Sequence, residues 1–186
     1  IVPFKLLLDS KRQPIIAGWT VEPDSSTWQA IPRVYPIGRK SNYGLPQMYL
    51  TKLTADAQGY VFSTFYGDSS TNYLTDALCD SDDNIILTGY TGKKFPLVQP
   101  VQGGNRGGND AFLVKISGTG EVLASTYLGG SRSDGADRLS TDGCGNILVF
   151  GGTDSPDFPF LRATDTLLTF DQGTYNAFFL SVFDPS

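Results

Sequence analysis

Asp142-Gly-Cys-Gly-Asn-Ile-Leu-Val-Phe-Gly151-Gly-Thr153 has two counterparts in the same chain, Asp80-Ser-Asp-Asp-Asn-Ile-Ile-Leu-Thr-Gly89-Tyr-Thr91 and Asp9-Ser-Lys-Arg-Gln-Pro-Ile-Ile-Ala-Gly18-Trp-Thr20. Self-similarity of this kind is weighed before any local signal, because each copy is one supersecondary unit. Gly89 and Gly151 are 62 residues apart and Gly18 and Gly89 are 71 apart, the surplus fitting an expanded loop at 21–31. A second set interleaves with the first: Gln47-Met-Tyr-Leu-Thr-Lys-Leu53, Asp110-Ala-Phe-Leu-Val-Lys-Ile116 and Asn176-Ala-Phe-Phe-Leu-Ser-Val182. Ser63-Thr-Phe-Tyr-Gly67 and Ser125-Thr-Tyr-Leu-Gly129 form a third.

Each copy alternates apolar residues rich in Val, Ile, Leu, Phe, Tyr and Thr between Gly, Asp and Asn, which predicts strands; no stretch of a dozen residues carries a helical period. Strands are expected at 4–8, 14–20, 47–54, 60–66, 74–79, 84–90, 110–117, 121–127, 136–141, 146–152 and 176–183. The unit in register is then strand A (110–117), B (121–127), C (136–141) and D (146–152). Asp80 to Asn84 and Asp142 to Asn146 read as C–D hairpin turns, where Asp, Asn and Gly bond to nearby backbone or take left-handed conformations. After D comes Phe95-Pro96 or Phe158-Pro159 and a connection of about fifteen residues. That length exceeds the usual range, and such connections are expected to cross from one sheet to the next.

Repeats of four short strands are the signature of propeller blades, although a sandwich or a β-solenoid also fits. The fold class expected is all-β, with a propeller-type repeat of four-stranded antiparallel blades. A partial blade with strands C and D and a long connection would occupy 1–46, complete blades 47–109 and 110–175, and the first strand of a further blade 176–186. Two blades plus parts of two more cannot close a ring that needs four to eight. A window from a longer polypeptide is therefore expected, with assembly of copies or an open stack as the alternatives. The partners are then the remaining blades of the same polypeptide or copies of the chain itself.

With 186 residues, 40% hydrophobic and 18% charged, the chain has the size and balance of one folded domain. Its net charge of −5 and lack of a basic stripe disfavour nucleic acid, whose binding depends on clustered Lys and Arg. The apolar runs, such as Ile147 to Phe150, are too short for a membrane-spanning helix. Ile1 to Leu8 lack the layout of a signal peptide, so a mature or internal segment is expected. Histidine is absent, which removes Ser-His-Asp and Cys-His nucleophile systems and every His-containing zinc site. Cys79 and Cys144 sit in different repeats and pair only if their Cα atoms come within about 6 Å. Otherwise they are a small core thiol and a turn residue.

Asp80-Ser-Asp82-Asp83-Asn84 has the alternating oxygens that begin a calcium loop. Ile85 stands where the sixth-position Gly belongs and Thr91 where a bidentate Glu belongs, so Asp80, Asp82 and Asn84 are metal candidates that read better as an acidic hairpin turn. Trp19, Tyr90, Trp28, Tyr35 and Tyr43 offer flat faces for stacking on sugars; Trp19 and Tyr90 read as core. Trp28, in the expanded polar loop, is the surface candidate for a ligand or partner. Asp68, Asp134, Asp137, Asp154 and Asp157 supply carboxylates that glycoside hydrolysis would use in pairs, yet Asp recurring at turns fits backbone capping better. Gly103-Gly-Asn-Arg-Gly-Gly108 lacks the strand-to-helix setting of a phosphate loop. No catalytic residue and no cofactor are expected.

Asp110-Ala-Phe-Leu-Val-Lys-Ile, Ser125-Thr-Tyr-Leu-Gly-Gly130, Asp142-Gly-Cys-Gly-Asn146 and Gly152-Thr-Asp-Ser-Pro-Asp-Phe-Pro159 together resemble the bacterial β-propeller repeat called SBBP, most strongly between Asp110 and Pro159. Before Gln47 the Phe-Pro element is replaced by Ile31-Pro32. The resemblance implies a blade of a large bacterial exported or cell-surface protein, with no general enzymatic activity attached to the repeat. The function expected is a non-catalytic structural or interaction module that presents loops to a protein or surface partner. The alternative is a carbohydrate-binding propeller or the accessory domain of a secreted enzyme.

Overall fold

The computed structural model describes residues 2–20, 46–67, 70–159 and 177–184. These form antiparallel strands: β1 (Val2–Leu8), β2 (Pro14–Thr20), β3 (Gln47–Leu53), β4 (Tyr60–Tyr66), β5 (Asn72–Cys79), β6 (Ile85–Thr91), β7 (Asp110–Ile116), β8 (Val122–Leu128), β9 (Asp134–Thr141), β10 (Ile147–Thr153) and β11 (Ala177–Phe183). Each lies within two residues of its sequence expectation. They make two four-stranded sheets, ordered β1-β2-β3-β4 and β5-β6-β7-β8, and a three-stranded sheet ordered β11-β10-β9. The described residues form no closed ring.

The sheets are phased differently from the expected blades. Each four-stranded sheet runs C-D-A-B, so sheets occupy 2–66 and 72–128 rather than 47–109 and 110–175. The long connection therefore stays inside one sheet, joining β6 to its neighbour β7, and the changes of sheet fall between β4 and β5 and between β8 and β9. The long connection owes its length to two jobs. It inserts Phe95 between sheets, against the rings of Tyr66, Phe112 and Tyr127 at 5.2, 4.9 and 5.9 Å. It then covers the outer strand β8: Ser125 N–H donates to Val98 O at 2.8 Å, Val98 N–H to Ser125 Oγ at 2.7 Å, and Gln102 N–H to Thr126 Oγ1 at 2.8 Å. A sheet edge is thereby shielded from further pairing.

The three C–D hairpins are built alike. Asp9, Asp80 and Asp142 each accept two backbone N–H bonds on Oδ1, from Lys11 and Gln13, from Asp82 and Asn84, and from Cys144 and Asn146, at 2.7–3.0 Å. The fourth residue of each turn is left-handed, with φ of 61° at Arg12, 62° at Asp83 and 84° at Gly145. Each strand C then carries one extra residue: Phe4, Thr75 and Asp137 stand unpaired in a register shift. At Gly89 and Gly151 the neighbouring strand presses so close that a Cβ would lie 1.9 Å from Tyr73 O and 2.1 Å from Gly135 O.

Ladder register also corrects the third copy of strand A. Gly89 pairs with Phe112 and Gly151 with Phe179, so Ala177, and not Asn176, takes the place of Asp110. A one-residue slip exchanges the faces of a strand. Phe179 is consequently buried and Phe178 exposed.

Two apolar cores lie between the sheets. Ile15, Ala17, Met48, Leu50 and Phe62 of the first sheet meet Ile85, Leu87, Phe112, Val114 and Ile116 of the second. The other face of the second sheet, Ile86, Ala111, Leu113 and Leu128, meets Ile147, Val149, Phe158 and Phe179. The edge strands β1, β5 and β9 are tied by Asp76 of β5, which pairs with Lys5 Nζ of β1 at 2.5 Å and accepts the Leu139 N–H of β9 at 2.9 Å. Thr75 Oγ1 adds a bond to Ala136 O at 2.6 Å.

Candidate functional site

The acidic hairpin carries its oxygens inward on its own backbone. Besides its two N–H bonds, Asp80 accepts Asn84 Nδ2 at 2.9 Å, and Lys115 Nζ lies 3.5 Å from Oδ2. Asp82 adds no oxygen to this arrangement among the described contacts, so Asp80, Asp82 and Asn84 are a turn-closing set. Asp9 has the equivalent lysine much closer, Lys52 Nζ at 2.8 Å, both side chains buried. Burial alone would raise the Asp9 carboxyl, but the Lys52 and Gln13 hydrogen bonds outweigh it and hold it below the ordinary carboxylate range. Among the described residues, no three His, Cys, Asp or Glu side chains form a metal-binding group.

Trp28, Tyr35, Tyr43 and Asp68 lie outside the described residues. Trp19 meets Tyr73 edge-on at 5.2 Å and 77°, and Tyr73 meets Tyr90 at 5.0 Å and 38°. These half-buried rings pack on one another across the first two sheets. Asp157 accepts the Ser131 N–H and hydroxyl, both at 2.8 Å, which hold its carboxyl below the usual range. Asp137 is the bulge residue of β9, and Asp154 N–H donates to Ser133 O at 2.9 Å. In the Gly103–Gly108 loop, Gly107 allows close approach to the following crossing, since a Cβ there would lie 1.8 Å from Arg132 O. Cys79 and Cys144 are free thiols, and burial pushes Cys79 up to about 11.

One carboxylate pair does converge, and only half of it, Asp134, stands out as a candidate in the sequence. Asp110 and Asp134 begin β7 and β9 on either side of Gly129, whose Cβ would lie 2.6 Å from Asp110 Cγ and 2.8 Å from Asp134 Oδ2. The signal was present in the repeat. Gln47 occupies the matching position of β3, and Asn72 that of β5.

Among the described residues, an apolar face is left open. On the outer face of the third sheet, Phe178, Leu180 and Val182 are 69, 60 and 59% exposed, beside Phe150, whose ring stacks on Phe178 at 5.6 Å. Ladder partners place all four on one face, with Arg138 opposite Phe150. The outer face of the first sheet shows Phe4, Leu6 and Leu8, with Leu6 at 71%. Such patches on a folded protein mark interaction surfaces.

No protein-family model matches the chain, and no curated protein matches it.

The two open faces are related through the repeat. In register, Leu148, Phe150, Phe178 and Leu180 correspond to Ile86, Thr88, Ala111 and Leu113, the face by which the second sheet packs on the third. Leu6 and Leu8 correspond to Ala77 and Cys79, which face the first sheet. One end of the stack thus offers the knobs of the internal interface and the other end its receiving side.

Proposed function

We propose that the chain is a non-catalytic structural and interaction module, a run of propeller-type blades that stacks through both outer faces with further sheets of its own repeat. The single observation that carries this is the correspondence between the exposed third-sheet face and the face already used between the second and third sheets. Burying each large apolar side chain contributes about 1.5–3 kcal/mol, so four such residues supply a substantial drive to dock. The resemblance to the bacterial SBBP repeat supports placing the module in an exported or cell-surface protein.

Charge narrows the occupant. Lys5, Asp76 and Arg138 hold the same register position in β1, β5 and β9. Lys5 meets Asp76 across the first interface, so Arg138 calls for a carboxylate at that position of the next sheet. A second copy of this chain would bring Lys5 there instead. The partner is therefore a further repeat with an acidic residue at that place, and self-docking is held back by like charges.

Sedimentation of the chain and of Arg138→Asp tests this. Replacing repulsion by a partly exposed pair is worth about 1–1.5 kcal/mol, or roughly tenfold tighter self-association for the variant. Leu180→Asp added to that variant should abolish the association. Equal association with Arg and Asp at position 138 would refute the register.

A further inference from the structure

Asp110 is fully buried and Asp134 is 3% exposed, and neither is ion-paired among the described residues. Asp134 is well supplied: Oδ1 accepts the Thr153 hydroxyl, and Oδ2 accepts Gly130 N–H and Ser155 Oγ, both at 2.8 Å. Asp110 is not. Its Oδ2 accepts Arg106 N–H at 2.9 Å and Gln102 Nε2 at 3.1 Å, and the Gly107 N–H also lies against the carboxylate, while its buried Oδ1 makes no hydrogen bond of ordinary geometry. In the same loop Asn105 Oδ1 is also buried and unpartnered, and its orientation is set because Asn105 Nδ2 donates to Gly108 O at 3.0 Å.

The sibling junction between the first and second sheets shows what this place needs for structure alone. There Gln47 and Asn72 hold the equivalent positions, Asn72 lies against Gly67, and both amides donate to Ser70 O. Gln47 Nε2 donates to Pro46 O and Ser70 O at 3.0 and 3.1 Å, Asn72 Nδ2 donates to Ser70 O at 2.7 Å, and Asn72 Oδ1 accepts Thr91 Oγ1 at 2.7 Å. The second junction keeps the threonine and the glycine but replaces both amides by carboxylates. Two buried negative charges side by side are costly without a counter-charge.

We propose that Asp110 and Asp134 hold a hard divalent cation of the calcium type at the junction of the second and third sheets. Carboxylate and amide oxygens are the donors such cations select, and Asp110 Oδ1 and Asn105 Oδ1 are oxygens of that kind that make no hydrogen bond of ordinary geometry. Burial, with the repulsion of Asp134, pushes Asp110 up to about 6, so a proton competes for the place in mildly acidic solution. With only two carboxylates, affinity belongs with the weaker calcium modules, at a dissociation constant of about 0.1–1 mM.

Calorimetric titration of the chain with calcium chloride at neutral pH, together with its melting temperature in calcium and in chelator, tests the site. Saturable binding and a higher melting temperature in calcium are expected. Asp110→Asn should lose both while melting higher than the unsubstituted chain in chelator, because it removes one of two adjacent buried negative charges. Asp82→Asn should leave binding intact. No heat and no shift in the unsubstituted chain, or binding retained in Asp110→Asn, or binding lost in Asp82→Asn, would each overturn the assignment.

Discussion

Removing the Phe95 ring tests whether the long connection is a structural plug. The residue is 4% exposed and touches three other rings, with Tyr66 edge-on at 77°. Phe→Ala in a core costs about 3–5 kcal/mol, and aromatic contacts add about 0.5–1.5 kcal/mol each beyond area. Its N–H bond to Tyr127 Oη at 2.7 Å does not involve the side chain and survives the change. Because the flanking sheets are hydrogen-bonded and cannot collapse fully into the gap, the expected loss is about 4 kcal/mol. That is a large share of the ~5–15 kcal/mol that holds a domain together. Urea unfolding monitored by fluorescence would show a lowered midpoint with unchanged slope. Phe95→Leu should lose roughly 1–2 kcal/mol and keeps the comparison measurable if the alanine variant does not fold. A loss below about 1 kcal/mol for Phe95→Ala would refute the plug and with it the account of why the connection is long.

Gly89→Ala should cost about 2–4 kcal/mol in the same assay, since its Cβ would meet Tyr73 O at 1.9 Å; a neutral result would mean that β5 does not bulge against β6. Lys52→Met leaves Asp9 buried without its cation, so a loss of about 3–5 kcal/mol is expected at neutral pH. The Asp9 carboxyl is depressed when folded, so its stabilisation is present above the unfolded carboxylate range and lost as pH falls through the folded value; melting temperature against pH should be flatter in acid for Lys52→Met. Asp110 has the opposite sign. Raised to about 6, it favours folding most when protonated, so in chelator the melting temperature of the unsubstituted chain relative to that of Asp110→Asn should fall as pH rises from about 4 to 7.

The strands were legible because period-two alternation and Asp-to-Asn turns are local signals. The turn Asp80-Ser-Asp-Asp-Asn84 is consumed by its own N–H groups, as its spacing suggests. Sheet phase was not legible. A repeat written A-B-C-D is the same string as C-D-A-B, and only tertiary packing shows that the sheet breaks fall after β4 and after β8. Connection length misled because residues that shield β8 and seat Phe95 look like slack. The adjacent phenylalanines 178 and 179 concealed a one-residue slip that only the pairing of Phe179 with Gly151 resolves. Asp110 and Asp134 lie on different sheets, so their meeting needed the fold, although the Gln47 and Asn72 counterparts were visible in the repeat.

The most direct test of the stacking account is a mixing experiment by analytical ultracentrifugation in the Arg138→Asp background. Leu6→Asp disables one outer face and Leu180→Asp the other, because both residues lie exposed at opposite ends of the stack. Each variant alone should sediment as a monomer, and an equal mixture should form a one-to-one dimer, because one intact head then meets one intact tail. A mixture that stays monomeric, or either variant associating alone, would contradict the claim that the two open faces are the two halves of the chain's own internal interface.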